Sequence, residues 1–230
     1  MPRRILSLTL QSEADTTRRD VAIDDAVVAG WTGRDAAAVE KHIRELELLG
    51  VKRPATTPIF YRVSAARLTT DDEIEVAGES SGGEVEFVLL QHGGRLWVGT
   101  GSDHTDREVE KYGVTVSKQM CDKPIAPLFW AFDEVAPHWD KLILRAHVTE
   151  GGARVLYQEG TVAAMIDPRD LIARYTKDGR LAENTLMFCG TLAAKGGVRP
   201  TTQFALEIED PVRKRKIQHA YGVRSLPVLG

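Results

Sequence analysis

Glu84, Glu86 and Asp103 are the residues of this chain whose types and spacing point most directly to chemistry. Glu84-Val85-Glu86 opens the run EVEFVLL, whose β-branched and aromatic residues read as a strand. Side chains alternate along a strand, so Glu84 and Glu86 project to one side and Val85 and Phe87 to the other. Two carboxylates that close repel each other, and burying them is costly unless a cation lies between them. Downstream, Gly99-Thr100-Gly101-Ser102 reads as a tight turn that delivers Asp103. Three carboxylates on rigid backbone form a hard-oxygen site, suited to Mg2+, Mn2+ or Ca2+ rather than zinc.

The elements that must position these residues are mostly strands. Ile5 to Leu10 alternates like a strand, and the apolar stretch Val21 to Gly30 ends in the turn Gly30-Trp31-Thr32-Gly33-Arg34. Asp35 is placed to cap a helix over Ala36 to Leu49, with apolar residues at helical spacing and Gly50 closing it. His42 and Glu45, three apart on that helix, share one surface. Val51 to Pro58 reads as an extended connector, Ile59 to Val63 as a strand, and Ile74 to Val76 as a short one. After RLWVGTG, a short helix is expected near Asp106 to Lys111, and Pro124-Ile125-Ala126-Pro127 forces a turn. LILRAHV pairs as a hairpin with Ala153 to Tyr157 across Glu150-Gly151-Gly152. Asp167-Pro168 starts a helix to Tyr175, and the segments 186–191, 204–208 and 217–223 are the last strands. The fold class is mixed and mainly β (α+β). It forms a single domain over 1–230, with an N-terminal strand and helix in 1–58 and a β-rich core carrying the carboxylates in 59–230.

The bulk properties exclude several function classes. The 230 residues carry a formal net charge of −3 with both signs interspersed, so no basic face is available for nucleic acid or an anionic membrane surface. Arg213 to Lys216 is the only dense basic run and reads as a solvated turn between strands. No apolar run approaches the roughly 20 residues that span a bilayer, and the N-terminus alternates like a strand rather than a signal peptide. Two cysteines, Cys121 and Cys189, make no disulfide framework, and a cytoplasmic location is expected. Ser117 and Cys121 lack the sharp elbow turn of a covalent nucleophile.

With that layout, the sequence resembles the fumarylacetoacetate hydrolase superfamily in its C-terminal catalytic domain, over roughly residues 30 to 225. Glu84-Val85-Glu86 matches the family's Glu-x-Glu strand, and Ser102-Asp103-His104-Thr105-Asp106-Arg107-Glu108 matches its Asn-Asp-x-Ser-Ala-Arg-Asp segment. Ser117-Lys118 stands at its lysine, Pro124 to Pro127 at its proline turn, and Cys189-Gly190-Thr191 at its Gly-Thr strand end. Gly33-Arg34 followed by His42-Ile43-Arg44-Glu45 is similar to its loop and lid helix with a His-x-x-Glu pair. The wording of GSDHTDRE, SKQ and HWD is also similar to a bacterial branch known only as a domain of unknown function. Departures fall at Ser102, His104, Glu108 and Glu110.

The resemblance implies a rolled-sheet fold with Glu84, Glu86 and Asp103 holding a divalent metal, Mg2+ or Mn2+, in a cleft under a mobile lid. It implies that His42, oriented by Glu45, moves protons, and that Lys118 pairs with a substrate carboxylate or enolate, or with a metal ligand. Thr191 and Arg34 are expected to meet a substrate carboxylate, and Arg107 is kept at a substrate-binding position. His104 is open among a second acid–base group, an added ligand and a packed histidine; His138-Trp139-Asp140 reads as a packed tryptophan with polar neighbours. The implied activity is hydrolysis of a carbon–carbon bond in an acylpyruvate-like or other 1,3-dicarbonyl acid. Dehydration of a 2-keto-3-deoxy sugar acid, decarboxylation or isomerisation are the alternatives on the same scaffold. A non-catalytic binding protein is a further one. A homodimer is expected, with no nucleic-acid or membrane partner.

Overall fold

The computed structural model describes residues 3–48 and 53–229. The chain begins with β1 (Arg4–Gln11), β2 (Thr16–Ile23) and β3 (Asp25–Gly30), followed by α1 (Ala36–Leu48) and β4 (Ile59–Val63). Short strands β5 (Leu68–Thr69), β6 (Glu73–Ala77) and β7 (Ser81–Gly82) lead into the long pair β8 (Val85–His92) and β9 (Arg95–Ser102). Then come β10 (Thr105–Asp106), α2 (Arg107–Glu110), α3 (Val114–Met120), β11 (Lys123–Pro124), β12 (Leu128–Ala131) and α4 (Phe132–Val135). The hairpin β13 (Ile143–Glu150) and β14 (Ala153–Thr161) precedes α5 (Pro168–Tyr175) and the last strands β15 (Thr185–Thr191), β16 (Gln203–Asp210) and β17 (Arg215–Leu226).

Two sheets carry the architecture. The larger has eight strands in the order β2-β1-β12-β9-β8-β15-β3-β4 and curls into a half-barrel. The smaller has five, ordered β14-β13-β16-β17-β6. One apolar cluster fills the space between the sheets, with Phe87, Leu89 and Met187 on one side and Leu144, Phe204 and Ile208 on the other. A second, including Leu8, Val28, Val88, Leu90, Phe129 and Phe188, is enclosed within the curl of the larger sheet. β8 is therefore buried on both faces, which is why its sequence reads as a continuous apolar run after Glu86.

Several expectations hold. The hairpin pairs Glu150 with Ala153 across the two glycines, Asp167 caps the helix at Arg169 N–H, and Trp139 is buried. Both cysteines are free and buried. Within the first 58 residues the expected first strand and helix are joined by two further strands, β2 and β3, and all three strands belong to the large sheet. Gly99 to Ser102 also differ, because they form the end of β9 rather than a turn. The glycines serve packing there. A Cβ on Gly99 would lie 2.8 Å from the Phe129 ring, and one on Gly101 would lie 2.8 Å from Phe188 and 3.0 Å from the Pro124 carbonyl oxygen. Arg213 and Arg215 are not merely solvated. Arg215 lies over the Trp130 ring at 4.4 Å and pairs with Asp210 at 3.3 Å, while Arg213 reaches Glu13. Among the described residues, no helix is long and apolar enough to cross a membrane.

Candidate metal centre

The antiparallel register of β8 and β9 assembles the site. Val85 pairs with Ser102 and Glu86 with Gly101. One residue beyond the ladder, Glu84 faces Asp103, and the Asp103 N–H donates to the Glu84 carbonyl at 3.1 Å. Glu84 and Glu86 share the face of Val88 and Leu90, so the carboxylates extend the line of the cluster inside the curl. One oxygen from each of Glu84, Glu86 and Asp103 lies within 4.8 Å of the other two.

Each carboxylate is held differently. Glu86, 2 % exposed, accepts the Gly190 N–H at 2.6 Å. Gly190 sits within an irregularity in the β15 ladder and has φ 103°, and a Cβ there would lie 1.7 Å from the Thr32 hydroxyl oxygen. Only glycine supplies that conformation and that space. Asp103 is fully buried, and its Oδ2 receives a short hydrogen bond from Lys118 on α3. Its Oδ1 lies 3.3 Å from the Lys123 ammonium and has no hydrogen-bond partner. Glu84 meets Arg107 at 3.2 Å, and Arg107 is bound in turn to Glu110 at 3.0 Å. Asp106 caps α2 through Glu108 and Val109 N–H groups, which fixes the turn that presents Arg107.

These surroundings separate the three carboxyl groups. Burial, the Asp103 charge beside it and then Glu84 push Glu86 well above the usual range, against the Gly190 N–H. Glu84 is also raised, by burial first, with Arg107 and Lys118 opposing. Burial pushes Asp103 up too, but Lys118 and Lys123 outweigh it and bring it down to about 2. Burial lowers Lys118, yet Asp103 and Glu84 more than offset this and hold it above the ordinary lysine value.

A pH dependence follows. Glu86 binds a proton in the folded metal-free protein where the unfolded chain has released it, so this group makes stability fall as pH rises above its ordinary value of 4.5. Asp103 acts oppositely, contributing stability above 3.8 that is lost as pH falls towards about 2. In chelated protein, urea midpoints of wild type and Glu86→Gln therefore diverge with rising pH, the variant becoming relatively more stable. Parallel curves would refute the strained ionisation of Glu86.

An all-oxygen trio with one orphaned, buried carboxylate oxygen fits a divalent cation of the Mg2+ or Mn2+ type. Glu84, Glu86 and Asp103 would hold it. An open groove of about 720 Å3 lies elsewhere, on the five-stranded sheet among His147, Arg154, Gln218 and His219. It holds none of the trio, and the convergence of charged groups marks the carboxylates as the site.

Lys118 pairs with Asp103 and Arg107 with Glu84. The open reading of His104 is resolved, and two other expected contacts are corrected. His104 is fully buried with both ring nitrogens taken, Nδ1 by Tyr221 Oη and Nε2 by Ser81 Oγ, each at 2.9 Å. Tyr221 donates onward to Ser102 Oγ, which also receives the Glu84 N–H. His104 is a packed histidine, held neutral by burial at a pKa of about 3. The Thr191 hydroxyl donates to the Val85 carbonyl at 2.7 Å and accepts from Gln158, so it ties β15 to β8 rather than facing a ligand. Arg34 clamps a carboxylate, but it is that of Asp140, at 2.7 and 2.9 Å. His42 and Glu45 lie on α1, and their side chains fall outside the described residues. Lys123 is the residue that sequence reading missed. Nothing local distinguishes Asp122-Lys123-Pro124 from an exposed turn; only the parallel pairing of β11 with β5 carries it inside.

Comparison with known proteins agrees with this architecture. No curated protein sequence matches the chain. Among solved structures, one described as Cg1458 aligns with a TM-score of 0.65 at 15 % identity, covering 93 % of this chain and 81 % of that one. A 2-keto-3-deoxyarabinonate dehydratase aligns at 0.65 and 14 % identity, over 91 % and 77 %. A 2-keto-3-deoxy-D-arabinonate dehydratase complexed with magnesium and 2,5-dioxopentanoate aligns at 0.61 and 15 %, over 92 % and 77 %. These likenesses show a shared fold, consistent with the fumarylacetoacetate hydrolase-like architecture that the motifs imply. The family described as Protein of unknown function (DUF2848) matches residues 29–221, which include the whole carboxylate trio and both buried lysines. The chain belongs to that family.

Proposed function

We propose that this protein is a divalent-metal-dependent enzyme that acts on a 2-oxo acid. The observation that carries the reading is the trio itself: three converging carboxylates, with a buried Asp103 oxygen that has no hydrogen-bond partner among the described residues. When bound, a divalent ion supplies Lewis-acid polarisation to the oxo and carboxylate oxygens of such an acid. The chain contributes the rest. Gly190 N–H orients Glu86, Lys118 locks Asp103 through one oxygen, and Arg107 holds Glu84. Lys118 remains an ammonium and adds a fixed positive charge beside the position of an anionic substrate. His42 and Glu45 are the proposed proton-transfer pair.

The first reaction is hydrolysis of a carbon–carbon bond in an acylpyruvate-like or other 1,3-dicarbonyl acid. Dehydration of a 2-keto-3-deoxy sugar acid is a second reading, supported by the dehydratase among the structural neighbours. Mn2+-loaded protein incubated with panels of both acids separates them. Acid and ketone products indicate the hydrolase; loss of water with retention of the carbon chain indicates the dehydratase. Turnover that persists undiminished after full chelation would remove the metal-dependent reading.

A further inference from the structure

Lys123 has no part in the site as the sequence presents it, yet its side chain is fully buried. It donates to the His104 carbonyl at 2.5 Å and lies 3.3 Å from Asp103 Oδ1. Burying an ammonium is costly, and a main-chain carbonyl uses one of its three donors. An uncharged donor would serve that carbonyl at less cost. Burial lowers Lys123 below the ordinary lysine value and Asp103 opposes that; the distinctive consequence of a lysine is its charge, placed 3.3 Å from the Asp103 oxygen that lacks a hydrogen bond. Glu84, Glu86 and Asp103 as carboxylates bring three negative charges; Lys118 and Lys123 return two positive ones, while Arg107 is shared with Glu110. With a divalent cation bound, the balance is one positive charge. Without Lys123 the loaded centre would be neutral.

We propose that Lys123 is a resident counter-charge that weakens divalent-cation binding at the trio and strengthens the hold of the loaded centre on doubly anionic 2-oxo acids. This rests on the metal reading above and adds to it the charge class of the substrate. At an effective dielectric of about 20, a unit charge this close alters either affinity by about tenfold or more.

Calorimetric titration of the full chain with Mn2+, and then of the Mn2+-loaded protein with oxalate, tests it in wild type, Lys123→Met and Lys123→Gln. Glutamine retains a donor for the His104 carbonyl. In both variants the Mn2+ dissociation constant is expected to fall about tenfold and the oxalate constant to rise about tenfold. A structural role alone would weaken both ligands together or change neither, and either result overturns the assignment. Wild-type protein that takes up no Mn2+ overturns the metal reading itself. In wild type, oxalate should bind the loaded centre at least about tenfold tighter than singly charged oxamate; equal affinities overturn the charge assignment even where neither variant folds.

Discussion

Glu86→Gln is expected to abolish stabilisation by Mn2+ while leaving the metal-free fold intact. A ligand that binds only the native state raises its stability by about 2.7 kcal/mol at a hundredfold excess over the dissociation constant. For a chain of this size that is a rise of about 5–10 °C in melting temperature. Glutamine retains an oxygen for the Gly190 N–H, so the peptide within the β15 irregularity keeps its partner. It removes the charge that burial and the neighbouring carboxylates make unfavourable without a cation. The variant should therefore melt, after chelation, at or above the wild-type temperature at neutral pH. It should show no Mn2+ shift and lose turnover by at least about a hundredfold. Thermal melts with and without Mn2+ check this directly, and an undiminished shift in the variant would take Glu86 out of the ligand set.

Asp103→Ala should behave in the opposite way without metal, although Asp103 belongs to the same trio. Its carboxylate is the counter-ion of two buried lysines, Lys118 and Lys123. Truncating it leaves two ammonium groups in the interior without the carboxylate that pairs with both. Breaking a buried pair on one side costs about 3–5 kcal/mol, which corresponds to roughly 6–20 °C in melting temperature. Urea midpoints of the chelated protein should show this loss for Asp103→Ala and none for Glu86→Gln. Equal effects would mean that the lysines do not depend on Asp103. The contrast follows from the surroundings: Asp103 is stabilised as an anion by cations of the chain, whereas Glu86 awaits one from outside.

Much of this was legible in the sequence because it is local. The two-residue period of Glu84-Val85-Glu86 puts both carboxylates on one side whatever else the chain does. The Gly-Gly hairpin and the Asp-Pro helix start are set by backbone preferences of a few residues. The order of the Glu pair, the Asp103 segment, Lys118 and the Gly190-Thr191 end was also readable, as was the mainly β character.

The tertiary structure decided what depends on partners distant in the chain. Gly99 and Gly101 look like a turn, but Phe129 and Phe188 close over them and make them strand. His104 looks poised for chemistry, but Ser81 and Tyr221, one of them 117 residues away, take both its nitrogens. Thr191 and Arg34 are likewise claimed by Val85, Gln158 and Asp140. Lys123 becomes part of the centre only because a two-residue pairing with β5 turns it inward. Residue type and spacing determine which groups can do chemistry. Which of them are free to do it is a question of hydrogen-bond partners and burial, and those are supplied by the rest of the fold.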